Sequence, residues 1–155
     1  MTSHQQSQSI SETMSDAQRD ANIASVRQFF DLMHAKDIDG WDALWAPDGR
    51  ILVAYPPEGF PNSIEGREQI TPGFRKLFAH FGTYDFLIRA LYPAVDPEVV
   101  IVEWDVTASL PAQNQVYRGN NITVFKFRDG LIAEYHDYFD PRKFQVVVNA
   151  LSPSA

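Results

Sequence analysis

A chain of 155 residues lies in the size range of one domain and can bury roughly two-thirds of the surface its unfolded form exposes, so one core is the default. Hydrophobic residues make up 45% of it and aromatics 13%, which supplies an interior and excludes disorder for most of the chain. A net charge of -7 with no run of Lys or Arg argues against a nucleic-acid partner, and the lack of cysteine removes disulfides, thiolate nucleophiles and cysteine-ligated metal sites.

No stretch reaches the ~20 apolar residues that span a bilayer, and the N-terminus lacks the apolar core of a secretory signal, so no membrane partner and a cytoplasmic location are expected. Residues 1–20 are rich in Ser, Gln and Thr and nearly free of aliphatics, and are expected to form a disordered polar tail, helical at most near its end. The domain is expected to run from 21 to 151.

From Asn22 to Lys36 the apolar positions Ile23, Val26, Phe29, Phe30 and Met33 recur at spacings of three and four, which predicts a helix with one buried stripe. Asp37–Ala46 repeats the pattern with Ile38, Trp41, Leu44 and Trp45 until Pro47, Asp48 and Gly49 close it, predicting a short second helix. Arg50–Tyr55 reads as a strand, and Pro56–Gly66 as a loop or ragged hairpin of the kind that rims a pocket. A third helix is predicted over Arg67–Phe81, regular only beyond Pro72 and Gly73.

The second half changes period. Tyr84–Tyr92, Val99–Leu110, Val116–Arg128 and Leu131–Phe139 read as strands, the last two joined at Asp129-Gly130, and Pro141 opens a final helix to about Leu151. Helices followed by an antiparallel meander make an α+β fold, a cone-shaped curved antiparallel sheet wrapped around N-terminal helices.

Alternation places Val99, Ile101, Glu103, Asp105 and Thr107 on one face of the second strand and Val100, Val102, Trp104, Val106 and Ala108 on the other. Both faces are apolar enough to need cover, so one is assigned to a homodimer packed sheet to sheet. The uncharged face, with Val100, Val102, Trp104, Val106, Ile122 and Val124, is taken as that interface. The opposite face is then concave. It would carry Glu103 and Asp105, about 6.6 Å apart by strand geometry, together with Asp137 and Asn121. Three carboxylates in one cavity would share protons, as acid-base catalysis requires, unless they found a cation or stayed wet. Glu134, His136 and Asp137 could suggest a metal, but alternation separates His136 from Asp137, so no metal or other cofactor is expected.

The run Glu134 to Asp140 (Glu-Tyr-His-Asp-Tyr-Phe-Asp), followed by Pro141, Arg142, Lys143 and Phe144, resembles the end of SnoaL-like and limonene-epoxide-hydrolase-like proteins. These belong to the nuclear transport factor two-like superfamily, whose fold is a cystatin-like α+β barrel. The resemblance extends from about Asn22 to Leu151, with Gly66-Arg67 and Asp129-Gly130 in place. It implies a pocket for a small hydrophobic organic molecule and matches the epoxide hydrolases' strand Arg-x-Asp and later basic Asp to Glu103, Asp105 and Asp137. Glu103 in place of the arginine inverts the local charge, and Val53 and Tyr55 stand where a Tyr and an Asn would hold water, which argues against epoxide hydrolysis by that route. Apolar pocket positions fall on Met33, Leu77, Phe81, Phe139 and Phe144, while Thr107, Gly119 and Asn121 replace bulkier aliphatics; Tyr55 joins them as substrate-binding. The chain is also similar to phenazine-biosynthesis A/B proteins, sharing Glu103-x-Asp105, but Gly73 stands where a histidine acts in those.

The implied function is a cofactor-independent enzyme that isomerises, cyclises or hydrolyses a small hydrophobic metabolite. Asp137 would be general base, Asp105 proton donor or orienting partner, and Glu103 would raise its neighbour's proton affinity by like-charge repulsion. The alternative is a non-catalytic binder of the same fold, since fold does not fix function.

Overall fold

The computed structural model describes residues 2–152, without the side chains of residues 2–5 and 9–11. Helix α1 runs from Thr2 to Ala35. Residues 2–20, expected as a loose tail, fall within this helix, and residue 1 lies outside the described residues. No Gly or Pro interrupts residues 2–35, so the helix anchored by its packed second half propagates backwards at little cost per residue. Two contacts pin its middle: Arg19 Nη2 donates to the Val95 carbonyl (2.8 Å) and Asn22 Nδ2 to that of Pro97 (2.9 Å).

Helix α2 covers only Ile38–Asp42, capped by Asp37 Oδ1 on the Gly40 N–H, and strand β1 begins at Trp45 and ends at Val53. Trp45 and Ala46 therefore belong to the sheet and not to the second helix. The reason lies in a contact distant in sequence: Trp45 pairs with Ile132, whose N–H bonds the Leu44 carbonyl, and a register break between Trp45 and Arg50 absorbs Pro47-Asp48-Gly49. Strand β2 (Ser63–Glu65) folds back on β1, and helix α3 (Arg67–His80) continues through Pro72. The proline deprives only the Glu68 carbonyl of its partner, and exposed Glu68 lets water replace it. Burial of Ile70 and the Thr71 hydroxyl bond to Asp42 hold that turn in place.

Strands β3 (Tyr84–Pro93), β4 (Val99–Leu110), β5 (Gln115–Arg128) and β6 (Leu131–Tyr138) form the expected antiparallel meander, and α4 (Pro141–Leu151) follows. The β5–β6 turn places Asp129 and Gly130 at φ 54° and 78°, a two-residue hairpin that suits Asp-Gly. The six strands are ordered β2-β1-β6-β5-β4-β3, with β1 parallel to β6. This curved sheet holds α1, α3 and α4 against one face. Among the described residues no helix is long and apolar enough to cross a membrane.

The core lies between α1 and the sheet, with Phe29 touching the rings of Phe30, Trp41, Phe125 and Tyr135 at centroid distances of 5.1–5.5 Å. Its position reverses the expectation for β4. Val100, Val102, Trp104, Val106 and Ala108 are at most 3% exposed and face the helices, while Glu103, Asp105 and Thr107 face out. Val102, Trp104 and Val106 therefore cannot form the expected dimer interface; only Ile122 and Val124 of that set lie on the outer face. Outside, Asp105 bonds Arg89 Nε at 2.9 Å and accepts from Asn120 Nδ2 at 2.8 Å, whereas turning it in would cost several kcal/mol of desolvation. On β5 the inner row is Tyr117, Gly119, Asn121, Thr123 and Phe125, as alternation predicts, and on β6 a register break next to Ala133 sets Ile132 inward before Tyr135 and Asp137.

Candidate functional site

Pairing of Thr123 with Asp137 puts an acid beside the inner row of β5 at the end of β6, where the sheet stops and the chain turns into α4. Asp140 caps that helix by accepting from the backbone N–H groups of Arg142 (2.9 Å) and Lys143 (3.4 Å). The cap fixes the first turn of α4 over the pocket. Phe144 then meets Phe139, Tyr117 and Phe60 at ring distances of 4.8, 5.3 and 5.5 Å, closing the end of the cavity.

The cavity so enclosed has a volume of about 70 Å³. Aliphatic and phenyl groups make most of its wall, among them Met33, Ile51, Val53, Phe78 and Phe81; the polar groups are Asp137, Asn121, Trp104 and three tyrosines, Tyr84, Tyr117 and Tyr135. The volume is well below the ~300 Å³ of an ordinary ligand site. A groove of about 260 Å³ lies outside it between α3, α4 and residues 59–64, and the two share Phe60, Ile64, Phe74 and Leu77 as a common wall.

Burial among these groups raises the Asp137 carboxyl from 3.8 to about 7, against the opposing pull of hydrogen bonds from Thr123 and from the backbone of Tyr138. Thr123 Oγ1 is 3.3 Å from Asp137 Oδ1 and accepts from Trp104 Nε1 at 3.0 Å, with the Tyr135 hydroxyl 3.5 Å away. An indole can only donate, so Trp104 occupies a lone pair of Thr123 and leaves the hydroxyl hydrogen for Asp137. Tyr84, Tyr117 and Tyr135 are all pushed upward by burial first and by the Asp137 charge among the further causes, so they remain neutral donors at any physiological pH.

Gly119 makes this crowding possible. A Cβ at that position would lie 2.5 Å from the Tyr117 hydroxyl and 2.9 Å from Asn121 Oδ1, so both side chains occupy space that only glycine leaves open. Asn121 is 4% exposed, and its Oδ1 is buried with no hydrogen-bond partner.

Of the residues singled out from sequence, Asp137, Met33, Leu77, Phe81, Asn121, Phe139 and Phe144 line the cavity. Glu103, Asp105 and Thr107 do not, because they stand on the outer face of β4, and Tyr55 is 66% exposed beside Tyr138. The expected three-carboxylate cluster is thus reduced to Asp137. Sequence reasoning missed Trp104, Thr123 and the three tyrosines. Tyr117, Thr123 and Tyr135 already shared the inward parity of Asn121 and Asp137, and that parity was the signal available.

A model of the SnoaL-like domain matches residues 26–135. Protein YesE of Bacillus subtilis (strain 168) is 30% identical over 117 residues, 76% of this chain and 80% of YesE. The PhzA/B-like protein PA3332 of Pseudomonas aeruginosa is 28% identical over 124 residues, 80% of this chain and 87% of that protein. Among solved structures, a proposed isomerase from Bacillus subtilis superposes with a TM-score of 0.78 at 26% identity, covering 86% of this chain and 96% of that one. The curved sheet, the helices on its inner face and these likenesses agree: the chain belongs to the SnoaL-like domain family.

Proposed function

We propose that the protein is a cytoplasmic, cofactor-independent isomerase of a small, largely apolar molecule, with Asp137 as the group that takes a proton from one carbon and returns it to another. The observation that carries this reading is a lone carboxyl in an apolar cavity, held near pH 7 by desolvation. At that value its ionised and neutral forms coexist at physiological pH, so one side chain serves as base and then as acid. Thr123 holds Oδ1 and so orients the carboxyl at the cavity wall. Isomerisation is favoured over hydrolysis because Glu103 and Asp105, the second and third acids that activating water or releasing a leaving group would use, stand outside the cavity.

The test is proton exchange in heavy water. Cyclopentanone or cyclohex-2-enone, incubated with the protein and followed by proton NMR, is expected to lose α-protons at a rate that rises through about pH 7 and falls to the buffer rate in Asp137→Asn. Equal rates in the two proteins would end the assignment. The alternative, a binder that leaves its ligand unchanged, predicts no exchange above buffer at any pH. A second copy of the chain is proposed to cover the outer sheet face around Ile122, Val124 and Leu87, of which Ile122 and Leu87 are 41% and 61% exposed.

A further inference from the structure

Tyr117 and Asn121 on the cavity wall carry hydrogen-bonding groups that the proton-transfer reading leaves unused. Two functions are left over: the Asn121 Oδ1 acceptor, buried and without a partner, and beside it the Tyr117 hydroxyl hydrogen, which no described residue accepts. A buried acceptor left without a donor keeps the full cost of its lost water, so an occupant that supplies a donor there recovers that cost. The two oxygens are close enough for one hydroxyl to reach both, since a Cβ on Gly119 would lie 2.5 Å from the Tyr117 oxygen and 2.9 Å from Asn121 Oδ1.

We propose that this pair is a subsite for the hydroxyl group of an uncharged ligand, the oxygen accepting from Tyr117 and the hydrogen donated to Asn121 Oδ1. An ether or ketone oxygen accepts but cannot donate, and a methyl does neither. Among the described residues that line the cavity none is cationic, so a carboxylate or phosphate would enter beside Asp137 without a counter-ion. That excludes anions and favours neutral hydroxylic compounds, alcohols, phenols or enols, over neutral ligands of the same shape that lack a hydroxyl. Asn121 lies one diagonal step from Asp137 across β5 and β6, a separation of about 7–8 Å between such strand neighbours, so one small molecule reaches both.

The inference rests on the cavity being a ligand site and names which ligands it takes. It is tested without turnover, by NMR titration of the intact protein with phenol, toluene and benzoate. Phenol and toluene are nearly the same shape, and a purely apolar cavity favours toluene because its methyl loses no hydrogen bond to water. Here phenol is expected to bind about tenfold more tightly than toluene, and benzoate not at all. In Asn121→Leu the order is expected to reverse. Toluene binding as tightly as phenol, benzoate binding as well as phenol, or an unchanged phenol preference in Asn121→Leu would each overturn the subsite, as would no binding of either neutral probe. If Asn121→Leu does not fold, the wild-type ratio alone decides. Failure of the heavy-water exchange leaves this ratio untouched, so the two readings fall separately.

Discussion

Replacing Asp137 by Asn is expected to stabilise the protein at neutral and alkaline pH while removing its activity. A carboxyl raised from 3.8 to about 7 by burial holds a proton in the folded state that the unfolded state has already released across that window. Folding stability therefore falls as pH rises from about 4 to about 7, and the full penalty persists above. About three pH units at ~1.4 kcal/mol each set a ceiling of ~4 kcal/mol, and the residue's partial access to solvent lowers the expected gain to about 2–4 kcal/mol. Asparagine keeps an oxygen to accept from Thr123 and carries no charge to desolvate. Urea unfolding of both proteins at half-unit steps from pH 4 to 8.5 measures the difference. The two should coincide near pH 4 and separate by the stated amount above pH 7. A variant as stable as wild type or less stable at pH 8, with parallel pH profiles, would show that Asp137 is not desolvated and would remove the basis of its role in proton transfer.

Phe29→Ala removes a ring with 0% exposure that touches four other aromatic rings, and is expected to cost about 3–5 kcal/mol in the same unfolding assay. A loss under 1 kcal/mol would contradict the packing described. Light scattering is expected to give twice the 17.6 kDa chain mass, and Ile122→Lys to return the chain to a monomer; a wild-type monomer at micromolar concentration would remove the proposed pair.

Much of this architecture was legible in the residues. The strand limits of β4 and the span of α4 follow from period and from Pro141, and the Asp129-Gly130 turn from its backbone demands. Where the reading failed, contacts distant in sequence decided. Trp45 carries a helical spacing but joins the sheet because Ile132, far along the chain, pairs with it. On β4 both rows are apolar, and giving the uncharged row to a dimer interface turns the acidic row inward. Desolvation decides the other way: Asp105 finds Arg89 and Asn120 in water, whereas Trp104 finds Phe30 in the core, its ring 4.8 Å away. Asp137 was legible from parity alone, but its isolation was not, since that depends on where its supposed partners point.

The parallel pairing of β1 with β6 joins residues such as Arg50 and Glu134, 84 positions apart, and with it the two halves of the cavity wall, Ile51 and Val53 on one strand and Asp137 on the other. A contact of that span closes a long loop and forms slowly relative to the hairpins of the meander. During synthesis β1 must wait, the edge that β6 will cover left bare, until β6 has left the ribosome. The acid then loses its water only when the last strand docks, so the step that completes the barrel also installs its most costly charge.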